Sequence, residues 1–418
     1  MNHKMMTGPL AAIDIGTTKI VVVIAHIDGK GRSEVIGIGK HPSHGLKKGV
    51  IINIALTVDS IKAALKEAEA MAGIKVESVC VGISGGHIQS FNSTGVVAIK
   101  GKDVTQYDID RVIEAAKAIP LAKDHYILHV LPQYFRIDGQ EYVFDSLGMY
   151  GVRLEAQVHI ITGAVASAQN IIKSCELSGV RVSDIVLEQL ASASAVLTPT
   201  EQEMGVGILD IGGGTCDFAI YKDGKIRHSK VLPIAGNHFT NDIAIGLGIP
   251  AERAEELKKL YGSVSKQKTL HAHNQYIDVS LGYEGGVKTI SVQALHEIIT
   301  LRAEEVFDLF LDEINQYRLR NIMPCGLVLT GGGSLLADIK DLASEKLDMP
   351  VRVGFPEALS PETEHMLPDS LRNPIYATVY GLVINATGER NVGDIASTDQ
   401  AIFSRVLKRM RSWIYDLF

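Results

Sequence analysis

Residues 11–24 read AAIDIGTTKIVVVI, and residues 207–220 read GILDIGGGTCDFAI. Each stretch is an apolar run, Asp-Ile-Gly, a turn of small residues, and a second apolar run. The repeat predicts two β-hairpins of one design. Glycine in such turns lets main-chain N–H groups converge without a Cβ in the way, which makes a nest for an anion such as phosphate. In the first hairpin Gly16 shapes the turn, Thr17 and Thr18 add hydroxyl donors, and Lys19 adds a cation. In the second, Gly212, Gly213 and Gly214 form the turn and Thr215 adds the hydroxyl. Asp14, Asp210 and Asp217 would repel a phosphate. They make sense around hydrated Mg²⁺, which bridges carboxylates and polyphosphate; Asp14 and Asp210 are the candidate metal residues, acting through water. One Gly-Thr turn is an ordinary turn. Two, each with an aspartate at the same offset, read as a duplicated phosphate site.

A third motif, CGLVLTGGGSLL at 325–336, runs a strand into Gly331, Gly332, Gly333 and Ser334 and then into helix-like LLADIKDLASEKL. Such a turn allows close backbone approach, and a helix N-terminus there would favour an anion. The chain holds no GxxxxGK[ST], so it is not a P-loop protein, and no GxGxxG follows a strand.

The 418 residues suffice for two or more cores, and a net charge of −7 argues against general nucleic-acid binding. Cys80, Cys175, Cys216 and Cys325 are scattered and form no CxxC pair, so neither a metal knuckle nor a disulfide framework is expected. No signal peptide is read at the start. The histidine pairs 41/44, 125/129 and 271/273 have loop or strand contexts, and no HExxH occurs; they are read as structural.

Strand-like runs at 11–15, 20–25, 35–39, 78–83, 207–211, 218–221 and 327–330 alternate with helix-like runs at 58–71, 105–118, 164–178, 251–260 and 292–317. This is an α/β pattern. Residues 84–161 and 263–290 read as insertions, and 387–400 as a flexible linker. The last stretch, FSRVLKRMRSWIYDLF, places Phe403, Val406, Leu407, Met410, Trp413, Ile414 and Leu417 on one helical stripe. Arg405, Lys408, Arg409 and Arg411 lie between them. A helix of ~24 Å is too short to span a ~30 Å hydrocarbon core. It is expected to lie in the interface of an anionic membrane.

Two phosphate hairpins and a later Gly-Gly-Gly turn resemble the actin-like ATPase superfamily. That resemblance implies two duplicated ribonuclease-H-like α/β domains with ATP and Mg²⁺ in the cleft, and makes Gly331–Ser334 an adenosine motif. LEQLASASAV at 187–196 and NPIYATVYGLVI at 373–384 look like its two interdomain helices, and AEELKKLYG at 254–262 like its ribose and base contact, through Glu255 and Lys258.

HPSHGLKKGVIIN (41–53), SGGHI (84–88), HVLPQYFRIDGQ (129–140), GVRLEAQVHIITG (151–163) and AGNHFTNDIA (235–244) narrow the resemblance to the bacterial cell-division FtsA family. Gly236 and Asn237 of the last motif join the nucleotide candidates. The family implies subdomain 1A at 1–83, 162–198 and 356–386; 1C at 84–161; 2A at 199–233 and 299–355; and 2B at 234–298. It implies ATP binding, self-association into filaments, and contact with the C-terminal tail of FtsZ through 2B. It further implies contact with later division proteins through 1C, and attachment by the terminal helix (401–418) to the cytoplasmic face of the inner membrane at the division site. Many superfamily members carry Glu-Pro where this chain has Glu188-Gln189. Glu188 remains the candidate for orienting water, and hydrolysis is expected to be slow.

Other functions on this fold are a PilM-like pilus-assembly protein, a small-molecule kinase and a chaperone ATPase. No carboxylate base suited to a kinase stands outside the phosphate motifs, and the 34 residues given after Ile384 read as linker plus helix, where a chaperone ATPase would be expected to carry a peptide-binding domain. The basic terminal helix favours the division protein over PilM.

Overall fold

The computed structural model describes residues 8–27, 33–281, 286–357 and 367–387. β1 (Gly8–Ile15), β2 (Lys19–Ile27) and β3 (Ser33–Pro42) form an antiparallel meander. A small ladder, β4 (Leu46–Lys47) and β5 (Val50–Ile51), leads into α1 (Ile54–Ala72), which Asn53 caps through Leu56 N–H. β6 (Ser78–Ile83) then joins β1 in parallel.

An inserted unit follows: β7 (Gln89–Ala98), α2 (Gln106–Ala116), β8 (His125–Ile137), β9 (Gln140–Val143) and β10 (Arg153–Ala164). Its four strands form a separate antiparallel sheet in the order β7-β10-β8-β9. It has its own core, with Val112, Val130, Leu154 and Ile160 buried together. After α3 (Val165–Leu177) the chain returns to the first sheet as β11 (Arg181–Leu187), completing the order β11-β6-β1-β2-β3.

α4 (Glu188–Val196) and α5 (Pro199–Met204) lead to the second lobe. There β12 (Val206–Ile211), β13 (Cys216–Lys222) and β14 (Lys225–Leu232) repeat the meander. α6 (Gly236–Leu247), α7 (Ala251–Tyr261), α8 (Lys266–His271), the hairpin β15 (Tyr276–Ser280)–β16 (Val287–Ser291) and α9 (Val292–Gln316) come next. β17 (Leu327–Thr330), α10 (Ile339–Leu347) and β18 (Val351–Val353) finish the sheet as β14-β13-β12-β17-β18. Both sheets thus have one plan: a meander, then two strands added in parallel beside its first strand. The sequence echo marks only the hairpins, because strand interiors need no more than buried apolar residues. The fold is α/β and actin-like in plan, with an inserted third sheet.

α11 (Ala377–Thr387) packs on α4 between the lobes. Gln189 to Val196 of α4 are all buried, which explains a run of alanine and serine rather than an amphipathic stripe. A Cβ on Gly381 of α11 would collide with the main chain of Ala191, so only glycine permits this crossing.

The strand-like runs and the helix-like runs 58–71 and 251–260 fall within observed elements, while the runs 105–118, 164–178 and 292–317 overrun α2, α3 and α9 by one or two residues at one end or both. The Gly331–Ser334 motif departs from expectation. β17 leads into a 3-10 turn, Gly332–Leu335, and α10 begins only at Ile339. Ser334 Oγ donates back to Gly331 O at 2.7 Å, and Asp338 at φ 66° interrupts the path to the helix. No α-helix N-terminus therefore stands at these glycines. Apart from Thr387, the linker (387–400) and the terminal helix (401–418), with its stripe from Phe403 to Leu417, lie outside the described residues. Among the described residues no helix is long and apolar enough to cross a membrane.

Candidate functional site

The β1–β2 and β12–β13 hairpins bring their turns together in one cleft. It is lined by Asp14, Gly16, Thr17, Thr18 and Lys19 from the first, and by Asp210, Gly212, Gly213, Gly214, Thr215 and Asp217 from the second. Glu188, Gly331 and Gly332 also line it. The turns touch: Cβ atoms on Gly213 and Gly214 would run into the side chains of Thr18 and Thr17. This contact explains why the second turn is all glycine where the first carries threonines.

Two of the aspartates are held by hydroxyls and the third faces a lysine. Asp210 Oδ2 accepts from Ser192 Oγ at 2.5 Å and Thr378 Oγ1 at 3.1 Å, one on each helix between the lobes. Asp217 accepts from Thr215 Oγ1 at 2.8 Å and from Ser84 at the end of β6. Asp14 lies 3.6 Å from Lys19 Nζ. Gly49 N–H donates to Thr17 Oγ1 at 3.0 Å, so the β4–β5 turn braces the first hairpin.

Four carboxylates share this buried space, and their proton affinities record the strain. Burial raises Asp14, with Lys19 opposing it. Burial also raises Asp210, while the Ser192 bond pulls it back. Burial lifts Asp217 to about 7 despite the Ser84 bond. Glu188 is pushed well above the usual range, first by burial and then by the charges of Asp14, Asp217 and Asp210. A site that crowds acidic groups around one lysine is matched to a cation brought in from outside. Among the described residues no three His, Cys, Asp or Glu groups are arranged to ligate a metal by themselves.

Gly236, Asn237, Glu255 and Lys258 form an adjoining layer rather than the lining of the cleft. Gly236 N–H and Asn237 N–H at the start of α6 donate to Gly212 O at 3.0 Å and Gly213 O at 2.8 Å. Lys258 Nζ donates to Gly236 O at 3.0 Å and Thr240 Oγ1 at 2.8 Å, and pairs with Glu255 at 2.5 Å. This layer ties up the turn's carbonyls on the α6 side. Gly333 and Ser334 are likewise outside the lining; Gly333 packs against Ile211. Gly331, at φ 78°, lies so close that a Cβ would collide with Asp210 Oδ1.

Reading the sequence for charged and glycine-rich signals passes over Ser84, Gly49, Ser192, Ile375 and Thr378. These are small or apolar residues whose roles depend on what the fold sets opposite them. All five lie within motifs visible in the sequence, but nothing in those motifs marks the individual position.

Comparison with known proteins finds two family models on this chain. One, described as cell division protein FtsA, matches residues 207–381; the other, an SHS2 domain inserted in FtsA, matches residues 85–162. A cell division protein FtsA of Pseudomonas aeruginosa is 43% identical over 421 residues, covering 99% of this chain and 98% of the relative. One of Neisseria meningitidis is 38% identical, covering 98% of each. Among solved structures, a PilM-PilN type IV pilus biogenesis complex superposes with TM-score 0.65 at 16% identity, over 90% of this chain and 98% of that one. MreB5 of Spiroplasma citri bound to ADP superposes with TM-score 0.53 at 18% identity, over 92% and 98%. A MamK double helical filament gives 0.50 at 13%, over 90% and 98%. At such identities these structures bear on the fold alone, and they are actin-like.

Proposed function

We propose, from the premise that this chain belongs to the FtsA family of cell-division proteins, that it is a nucleotide-dependent membrane tether. In this reading it binds Mg-ATP between its lobes and assembles into filaments. It links FtsZ, through that protein's C-terminal tail and residues 234–298, to the cytoplasmic face of the inner membrane at the division site. Residues 84–161 would contact later division proteins, and residues 401–418 would lie on anionic lipid. A single interfacial helix attaches reversibly, so assembly would strengthen attachment through multivalency.

The observation that carries the nucleotide reading is the meeting of Thr17 and Thr18 with Gly214 and Gly213 above buried carboxylates. The turns and Lys19 would hold the phosphates. Asp14 and Asp210 would hold the water shell of Mg²⁺, which supplies charge neutralisation on the polyphosphate. Glu255 and Lys258, beside Gly236, are suited to the ribose end, and Gly331 to Ser334 to the adenosine. Glu188 would orient a water. With burial favouring its protonated form, it is a poor proton acceptor until nearby charge changes, which fits slow hydrolysis. The MreB5 neighbour bound to ADP and the filament neighbour support nucleotide binding and self-association by likeness of fold.

The test is co-sedimentation with anionic liposomes, with and without Mg-ATP and FtsZ, for the full chain and for a chain lacking residues 403–418. The full chain should pellet and carry FtsZ with it, while the truncated chain should stay soluble and still bind Mg-ATP. Equal pelleting of both would remove the tail as anchor.

A further inference from the structure

The inserted sheet belongs by connectivity to the first lobe, since the chain enters it from β6 and returns through β10 to β11. Its side chains nevertheless grip the second lobe. Gln133 Nε2 donates to Ile226 O at 2.8 Å, Ser90 Oγ to Ser229 O at 2.5 Å, and Asn92 Nδ2 to Arg227 O at 3.5 Å. His159 is 1% exposed and stands between two partners, Asn92 Oδ1 at 2.7 Å and Ser229 Oγ at 2.9 Å. The Arg227 guanidinium lies 5.7 Å from the centre of the Tyr134 ring.

All the second-lobe groups in this set are on β14, the outer strand of its sheet. An outer strand has main-chain carbonyls without a neighbouring strand to donate to them. Here they are met by amide and hydroxyl side chains rather than by another strand. Side-chain bonds of this kind hold position without merging the two sheets, so they can be broken as a group. Asn92 Oδ1 accepts a hydrogen bond from His159 Nδ1–H, leaving Nε2 to accept from Ser229 Oγ–H. The ring is therefore neutral, consistent with burial holding its pKa down to about 3.

We infer that the inserted sheet is a clasp between the lobes: Ser90, Asn92, Gln133 and His159 hold β14 and keep the cleft closed, and their release lets the lobes separate about α4 and α11. Any rotation of the lobes must either break these bonds or tear the sheet from its place beside the first lobe. The bonds are the weaker element, because each replaces a hydrogen bond to water and so adds little net stability. The clasp would then couple two events at a distance: the state of the cleft, and the orientation of a sheet that, in the proposed function, would contact other division proteins.

The test uses the full chain carrying Cys325→Ser, with spin labels at exposed Lys62→Cys on α1 and Glu252→Cys on α7. The interlobe distance is read by double electron–electron resonance, with and without Gln133→Ala plus His159→Ala. Ser229→Ala serves as a milder variant, and thermal unfolding checks that each chain is folded. The expected result is a distribution broadened towards longer distances, with Mg-ATP released about tenfold faster, as loss of one to two such bonds predicts. Folded variants that keep the unaltered distance distribution would overturn the clasp. The second readout rests on the nucleotide reading, and the first does not. Longer distances without Mg-ATP binding in any chain would uphold the clasp and overturn the nucleotide site.

Discussion

Ser192 Oγ lies 2.5 Å from Asp210 Oδ2, so a helix between the lobes is bonded directly to a carboxylate of the cleft. Thr378 of the partner helix reaches the same oxygen and also Ser192, at 3.1 Å in each case. One carboxylate thereby senses the packing of α4 on α11. Whatever binds at Asp210 is coupled to the helices about which the lobes would turn.

Asp210→Asn should separate binding from stability. Removing the charge relieves repulsion from Asp14 and eases ionisation of Glu188, so the nucleotide-free chain should melt a few degrees higher. Mg-ATP affinity should fall about 100-fold, as expected for losing a strong charge-assisted contact. Calorimetry with and without Mg²⁺ checks the second point; unaltered affinity would exclude Asp210 from the site.

Asp217 gives a pH signature in the nucleotide-free chain. Its carboxyl titrates near 3.8 when unfolded and about 7 when folded. The folded state therefore binds the proton more tightly, and this contribution to stability is present at low pH. It declines as pH rises from about 4 to about 7, and is gone above that. Asp217→Asn should flatten the stability profile across this window. Urea titrations at pH 4, 5.5 and 7, each about 1.5 units apart, measure it; identical slopes in both chains would contradict the shift.

Gly331→Ala combines two costs, a strained φ of 78° and a collision with Asp210 Oδ1. It should destabilise the fold by about 1–3 kcal/mol and weaken Mg-ATP binding as well. By contrast Gly332→Ala, whose Cβ would meet only Ile375 at 3.7 Å, should be nearly neutral in stability. A chemical denaturation series ranks the two, and equal losses would show that the collision is not the cause.

Deleting the inserted sheet should uncover β14. The sequence alone suggests that a chain without residues 84–161 would keep its nucleotide site. With its side-chain cover gone, however, β14 offers an open outer strand for association. Light scattering should show aggregation of the deletion chain, reduced by a charged substitution such as Ser229→Lys. A monodisperse deletion chain would show that β14 needs no cover.

Much of this architecture was legible in the sequence because it depends on short-range patterns. Asp-Ile-Gly followed by a small-residue turn marks both hairpins, since only such turns leave room for N–H groups to converge. The matched offset of Asp14 and Asp210 identified the cleft's two acidic anchors before their sheets were known. Apolar runs marked β1, β2, β3, β6, β12, β13 and β17 of the two main sheets, because most residues of those runs are buried, whereas the inserted sheet, whose β7 and β8 are more exposed, gave no comparable signal. Membership of the FtsA family likewise rests on motifs spread along the chain.

Tertiary structure decided what those patterns do not encode. Glu188 was visible as a glutamate, but its raised proton affinity comes from burial beside three aspartates contributed by distant segments. Ser84, Ser192 and Thr378 are unremarkable in sequence, and they matter because folding places their hydroxyls against Asp217 and Asp210. The Gly331–Ser334 turn reads as the start of a helix, but Ser334 bonds back to Gly331 and Asp338 turns left-handed, so the helix starts later. His159 and Gln133 gain their partners only when β14 is left as the outer strand. Local sequence sets which conformations are open to the backbone; which polar group meets which is settled by long-range packing.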